Sequence, residues 1–580
     1  MGTKRRNIMP FYLSPLVDVN EISLDTTIQG VATSIGVIVL RDTYKGPELK
    51  KQLLTRELEL EEVFGKVTTD RDCYRDMLNA KGFLKYGSSL YATRVLPVAA
   101  TFAGTKVTSA GTAWEAFSTP LTLADLDSAD PDNLGDDVTA DTALWVIASS
   151  RGAWGNNVRI ATLTKTSQNE MVSGGNSLWA TYPVFADIDS PLVEDTDFLV
   201  VVQEMPQGGA SWITKEVHNV STKELAIDDQ GNSKFVENVI NQQSAYIRVA
   251  MSAAQTEQNW TLDSESWVAL TDGAFTASTV TEGTIMEALD LYANPEEIDV
   301  NILIDSDKPV AVKQYMIQIA ESRKDCMAIL DPPMELCVNN RGNEATDLRD
   351  WRRGLGAFTS DNLNENTSYA SLYGNWAEIY EKDTKKYRWI PLSGNVAGMY
   401  ANTDDVAEPW FAPAGLNRGV LTGIRKLAWN PTQGHRDILY KNGINPIVPF
   451  AGQGKVIWGQ KTLLDKPSGF NRVNVRRLFM ILEKAIATSS KYFLFEPNDP
   501  VTRTQLVNMI EPFLRDVQSR RGIRAFKVVC DESNNTSERE ARNELWCSII
   551  IQPTRSAEFI VLNFVSVKDA SQFEEASQVA

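Results

Sequence analysis

Residues 35–40 (IGVIVL) are apolar at every position, a pattern that asks for cover on both faces and fits a strand inside a parallel sheet. The period then changes. Thr55 stands where a helix would be capped, and Leu60, Val63 and Phe64 fall on one side of that helix before Gly65 stops it. Residues 72–86 predict a second helix that gathers Tyr74, Met77 and Leu78 on one face, with Gly87 after it. Residues 90–96 predict another strand, so the order strand, helix, helix, strand points to an α/β layer near the start of the chain.

Between 98 and 281 the texture turns to Thr, Ser, Ala, Gly and Asp, with short apolar strands at 144–148, 158–163 and 198–203. Turn signals at Gln207-Gly208-Gly209 and Asp229-Gln230-Gly231 add to the picture of a β-rich insertion. The α/β pattern returns at Gly283. A helix over 284–292, a strand over 300–304, a helix over 309–322 and a strand over 327–330 make a right-handed crossover unit, the second half of the interrupted layer. Residues 375–380 and 387–390 predict a hairpin, with Trp376, Tyr380, Tyr387 and Trp389 available to pair across it.

Residues 471–489 predict a helix with Leu478, Leu482, Ala485 and Ile486 on one face, residues 501–517 another, and 545–551 the start of the closing strands. The last strongly apolar segment is 559–567 (FIVLNFVSV), close to the C-terminal end of the sequence. Phe559, Val561, Val565 and Val567 take one face of this strand, and Ile560, Leu562 and Phe564 the other. Such a strand is either central in its own sheet or donated to a neighbour.

The chain of 580 residues has room for three or four domains, and 43% hydrophobic with 23% charged residues is ordinary for soluble globular structure. Lys4, Arg5 and Arg6 are followed by Asp18, Glu21 and Asp25, where a signal peptide needs an unbroken apolar stretch, so no export by that route is expected. Five cysteines without a CxxC pair fit buried thiols in a reducing compartment, and two histidines, His218 and His435, exclude a His-rich metal site. The net charge of −18 is uneven. Residues 1–95 hold 14 Lys and Arg against 12 Asp and Glu, and 441–580 hold 19 against 15, which leaves 24 against 48 for 96–440. The mildly positive ends suit an acidic partner, and the acidic middle suits a solvated domain.

Enzyme-like chemistry centres on Asp305 and Asp331, each just past a predicted parallel strand, where open α/β sheets place their ligands. Two carboxylates there, with Asp307 as a third oxygen donor, suit Mg²⁺ held for phosphate chemistry. The bland alternative is that each aspartate caps a helix or forms a turn, as the Pro332-Pro333 pair after Asp331 suggests. The sequence Gly452-Gln453-Gly454-Lys455 and Gly459-Gln460-Lys461-Thr462 lacks the uninterrupted Gly-Lys-Thr of a phosphate loop and reads as a hairpin turn. Arg472, Arg476 and Arg477, with Lys484 and Lys491, form a basic stripe open to internal salt bridges or to an acidic protein partner.

Several stretches together resemble one family. They are Ser14-Pro15 and 32–36 (ATSIG), Phe64-Gly65, 83–87 (FLKYG) with Leu90-Tyr91, then 388–392 (RWIPL), 413–419 (PAGLNRG), 444–446 (INP), 474–478 (NVRRL), 489–492 (SSKY), Asn543-Glu544, and 551–556 (IQPTRS) running into 562–565 (LNFV). This set resembles the contractile tail sheath proteins of bacteriophages, nearest the sheath of T-even-like myoviruses. It covers about 10–95 and 283–570; 96–282 matches weakly.

The resemblance implies a multidomain α+β and α/β chain without catalysis, cofactor or metal. An N-terminal arm over 1–24, a discontinuous α/β sheath domain over 25–97 and 283–440, a β-rich acidic outer insertion over 98–282, a C-terminal inner domain over 441–557 and a C-terminal arm over 558–580 are expected. Subunits of this family stack as hexameric rings around a tail tube and contract when the baseplate triggers them, driving the tube through the host envelope. Partners would be further copies of the chain, the tail tube protein, and baseplate and tail terminator proteins, with no nucleic acid and no direct membrane insertion. The location would be the virion, after assembly in the host cytoplasm. Terminal arms would donate strands to neighbouring subunits through Leu16, Val17, Val19 and Ile22, and through Phe559, Ile560, Val561, Leu562, Phe564, Val565 and Val567. Arg472, Arg476 and Arg477 are the residues expected to face an acidic tube. A sheath of a phage-derived contractile injection system, or a Mg-dependent phosphohydrolase using Asp305 and Asp331, are the alternatives.

Overall fold

The computed structural model describes residues 28, 33–108, 113–117, 120–122, 142–165, 192, 194–252, 255–262, 267–274, 280–558 and 560. The expected N-terminal donor strand, and all of the C-terminal one except Ile560, lie outside the described residues. The described residues fall into two compact units, one made of 33–481 with 555–558 and the other of 482–554.

The larger unit is built on a seven-stranded sheet in the order Ile444–Asn445, Ala370–Tyr373, Met327–Leu330, Ile302–Ile304, Gly36–Arg41, Leu90–Val95, Gln52–Leu54. All neighbours run parallel except the last pair. The apolar run at 35–40 is the central strand that its pattern demands. Val37 and Val39 enter one core with Leu303, Leu330 and Leu372, while Ile38 and Leu40 enter a second with Ile304, Ile329 and Tyr373. The alternation of a strand thus feeds two layers of helices. The Glu282–Asp290, Val310–Arg323 and Glu344–Arg353 helices supply buried residues to the first core, and the Arg71–Leu84 and Ser393–Val406 helices to the second.

The strand from the start of the chain pairs directly with one that follows the insertion, Gly36 with Ile302 and Ile38 with Ile304. Long-range pairing of this kind closes one sheet from two distant stretches of sequence. The Ile444–Asn445 strand also belongs to this sheet, and residues up to 481 stay with the larger unit, so the compact division falls later than the expected boundary at 441. The reason is the run of contacts that 444–463 makes: Asn445 donates to the Leu372 and Lys461 carbonyls, and Leu463 to the Ala370 carbonyl.

Within the insertion, two four-stranded antiparallel sheets share a core. The first has the order Ile247–Met251, Thr142–Ala148, Gly104–Thr108, Trp114–Glu115; the second Val268–Ala269, Val158–Thr164, Asp197–Glu204, Ile213–Ser221. Leu144, Val146, Ile160, Val200 and Val202 face that core, and Phe198 stacks on Trp260 at 4.5 Å. The turns at Gly208 and Gly231 both take positive φ, 75° and 88°, the backbone that glycine permits.

The predicted hairpin forms from Trp376–Glu381 and Lys386–Pro391. Of the four aromatic residues, Tyr380 and Tyr387 meet across it, with ring centroids 5.3 Å apart, whereas Trp376 stands opposite Pro391 and Trp389 opposite Glu378. The 450–454 segment is a hairpin turn between Ile447–Phe450 and Gly454–Ile457, which settles the phosphate-loop question in favour of the turn.

The smaller unit is sparser. The Pro500–Ser519 helix buries Leu506, Met509, Ile510, Leu514 and Val517, and its unit includes an antiparallel pair, Ile523–Val529 with Ser548–Pro553. Among the described residues this sheet has two strands and no more. No helix of the described residues is long and apolar enough to cross a membrane.

Candidate functional site: strand-end charges, an arginine cluster and an open sheet

Asp305 and Asp331 lie at the C-terminal ends of neighbouring parallel strands, as expected, and both are fully buried. Three of their four oxygens bond the protein. Asp305 pairs with Lys313 and accepts from the Lys308 amide at 3.0 Å and the Asp331 amide at 2.8 Å. Asp331 Oδ1 accepts from the Leu392 and Ser393 amides at 3.0 and 2.9 Å, capping the start of the Ser393–Val406 helix from outside, where the helix dipole favours negative charge. Asp307 pairs with Arg75, whose guanidinium also lies over Trp376 at 4.9 Å. Asp305 and Asp307 are therefore held by ion pairs and Asp331 caps a helix through Oδ1 while its Oδ2 has no hydrogen-bond partner among the described residues, which favours the plainer of the two readings open from sequence.

The same strand ends hold a charge cluster that the sequence did not reveal. Arg41, at the end of the central strand, donates from Nε and Nη2 to the two oxygens of Asp76 at 2.8 and 2.9 Å, and Lys308 Nζ reaches Asp76 Oδ1 at 2.8 Å. All three side chains are buried. Burial alone would raise the Asp76 carboxyl, but Arg41 and Lys308 together hold it below the ordinary carboxylate range. Burial lowers Lys308 to about 8, with Arg41 adding to the effect. Next to this pair, burial pushes Asp42 up to about 7, reinforced by Asp70, Asp72 and Asp76, and burial lifts Asp307 to about 6 despite Arg75. Asp331 is raised by its burial and then by Asp305. Nothing at 41, 76 and 308 is adjacent in sequence; only the meeting of strand, helix and loop makes the cluster.

The arginines expected to face a tube are placed differently. Arg477 is 4% exposed and bonds Asp404 at 2.6 Å, a buried ion pair beside the Tyr400 ring. Arg476 is 7% exposed and lies between the Tyr369 and Phe470 rings at 4.3 and 4.1 Å. These two are internal, so no charged surface stripe runs along this helix start. Arg472 keeps 26% exposure and grips Glu558 with Nε and Nη2 at 2.5 and 2.9 Å. Gln460 supports the same stretch through Ser556 Oγ at 3.0 Å. Arg472 thus clamps the residue at which the expected C-terminal arm begins.

The third feature is the two-stranded sheet of the smaller unit. Along Ser548–Pro553 exposed and half-buried positions alternate, and Ile550 on the outer face is 60% exposed. Tyr492, Leu494, Phe495 and Val501 of the same unit are also exposed. A lone pair of strands is marginal in water, and its free edges are templates for further strands.

Residues 279–463 match the family described as the phage tail sheath protein central domain, and 465–566 the phage tail sheath C-terminal domain. Two domains of phage tail sheath proteins are thus matched in this chain. It is 38% identical over 375 residues to a tail sheath protein of Vibrio phage KVP40, covering 62% of this chain and 54% of that protein. It is 37% identical over 333 residues to the tail sheath protein of Enterobacteria phage T4, covering 56% and 50%. The chain thus spans about half the length of these relatives. In fold it is similar to a sheath tail protein from Listeria innocua, with a TM-score of 0.52, 11% identity and coverage of 90% and 96%. It is similar also to the helical sheath of the anti-feeding prophage in its contracted state, with a TM-score of 0.51, 14% identity and coverage of 96% and 100%. Both sheath domains together reach from the crossover unit to the terminal apolar segment, the stretch in which the sequence resemblance is densest. The Arg41–Asp76–Lys308 cluster was missed from sequence; the one available signal was a basic residue ending an otherwise apolar strand.

Proposed function

We propose that this chain is a structural subunit of a contractile tail sheath, which polymerises as stacked hexameric rings around a tail tube and shortens to drive the tube through a host envelope. The observation that carries the reading is the match of 279–566 to the central and C-terminal sheath domains, in relatives named as tail sheath proteins. The open two-stranded sheet supports it physically. Terminal arms from neighbouring copies, through Leu16, Val17, Val19 and Ile22 and through 559–567, would add strands at its edges, with main-chain hydrogen bonds giving affinity and side-chain pockets the register. At a net ~1 kcal/mol per hydrogen bond, a handful of ladder bonds per arm contributes on the order of 5 kcal/mol before apolar burial is added. Such a link survives rigid-body motion of the subunits if the segment leading to it bends.

In this proposal the β-rich insertion is the outward domain, the segments around it form the inner α/β body, and 441–557 with the arms forms the layer that connects subunits. The partners are further copies, the tube, the baseplate and the tail terminator, and assembly takes place in the host cytoplasm. The clamp at Glu558 gives the C-terminal arm a fixed root. Of the three arginines, Arg472 is the one with enough exposure to reach a tube as well, so Arg472→Glu tests that contact. It is expected to weaken assembly on tubes most at low salt. The decisive experiment is negative-stain microscopy of the purified chain at high concentration. Rings or tubes are expected, and discrete particles with metal-dependent phosphatase activity would reverse the conclusion.

A further inference from the structure

The two-stranded sheet of the smaller unit ends its ladder on Val529 opposite Ser548. The next residue on each strand is a cysteine, so the same register sets Cys530 opposite Cys547. The side chains also agree in direction. Cys530 is buried, Cys547 is half-buried, and both continue the more covered face on which Phe526 and Val528 oppose Ile551 and Ile549. Their thiols are in hydrogen-bond contact with each other, and both are free. Two cysteines brought together by strand register are a different case from Cys73, Cys326 and Cys337, each fully buried in the larger unit.

We propose that Cys530 and Cys547 form a redox-closable staple across this sheet, open in a reducing compartment and converted to an intrachain disulfide by a low-molecular-weight disulfide such as oxidised glutathione. The half-buried Cys547 is the point of attack. Its thiolate displaces one small thiol from the small disulfide and forms a mixed disulfide. Cys530 then loses its proton, attacks the Cys547 sulfur and expels the second small thiol. Two protein S–H bonds and one small S–S bond are consumed, and one protein S–S bond and two small thiols result. The protein is oxidised by two electrons and the small disulfide is reduced by two.

Closure fixes the register of the two strands and ties off the 531–546 loop between them, which shortens the freedom of the unfolded chain. It is also slow by construction. Burial, then the neighbouring Cys530, pushes the Cys547 thiol up to about 12, so thiolate is scarce at neutral pH and the rate rises roughly tenfold per pH unit over pH 7–9. The staple therefore stays open through synthesis and closes during long exposure to an oxidising medium.

The test uses the full chain incubated with oxidised glutathione at pH 7, 8 and 9, followed by thiol counting in denaturant and peptide mapping without reductant. The expected result is a fall from five titratable thiols to three, a linked peptide pair containing Cys530 and Cys547, and a mass about 2 Da lower than the reduced chain. In Cys547→Ser and in Cys530→Ala the linked pair is absent, and whichever variant folds serves as the control. Five thiols persisting through days at pH 9, or links that join separate chains through Cys547, overturn the proposal.

Discussion

The seven-stranded sheet of the larger unit and the two-stranded sheet of the smaller one are both built from β-branched and aliphatic residues, yet they have opposite needs. In the first, Gly36–Arg41 has a neighbour on each edge and a core on each face, with every residue buried. In the second, Ser548–Pro553 has one partner among the described residues and alternates exposed with half-buried positions. A strand paired on both edges and covered on both faces has nothing left to offer a neighbour, whereas a strand with a free edge is a template for a further strand. In the proposed sheath reading the first region serves folding and the second assembly.

The strongest way to break that assignment is to remove the donor. Deleting the chain from Glu558 onward is expected to leave a folded protein, with circular dichroism and melting close to those of the full chain, that no longer forms rings or tubes in the microscope. Normal polymers from the truncation would show that the open sheet does not need this arm.

A second cut, on the closed side, should act on folding itself. Asp76→Ala strands Arg41 and Lys308 in a buried site, and breaking such an arrangement costs about 3–5 kcal/mol in denaturant unfolding. If stability is untouched, the cluster is not part of what holds the seven-stranded sheet.

A smaller loss is expected where two helices meet. Gly394 sits so near the Asn79 carbonyl that an added Cβ would lie 2.2 Å from that oxygen. Gly394→Ala should cost about 1–3 kcal/mol, read as a lower melting temperature, because backbone must shift to make room.

The smallest effect is one of pH. A carboxyl raised to about 7 in the folded state, as Asp42 is, binds a proton there that the unfolded chain has already released, so its contribution to stability is lost as pH rises from about 4 to 7. Asp76 has the opposite sign and stabilises above the ordinary carboxylate range, losing that contribution as pH falls through it. Asp42→Asn is expected to flatten the loss between pH 4 and 7, and an unchanged pH profile would exclude Asp42 as its source.

How much was legible follows from how local each signal is. The central strand, the helices over 71–84 and 310–323, the strand over Met327–Leu330 and the aromatic hairpin could be read because period and capping are properties of short windows. The N-cap of the second helix is one step earlier than expected, at Asp70, whose side chain takes the Asp72 and Cys73 amides. The arginine stripe was misleading for a related reason. Spacing along a helix shows which residues share a face, not which face is covered, and here Tyr369 and Asp404 from remote parts of the chain, with Phe470 just before the helix, cover it.

The amino-acid sequence by itself determined the alternation of layers, the place of the insertion and the resemblance to sheath proteins, since each rests on local pattern or on residues kept in order. Only the tertiary structure decided what the charges do. Asp305 and Asp331 became caps, Arg41, Asp76 and Lys308 became one buried cluster, and Arg472 became the clamp on Glu558. The reason is that a charge takes its role from its dielectric surroundings and its partner, and both are supplied by segments far away along the chain.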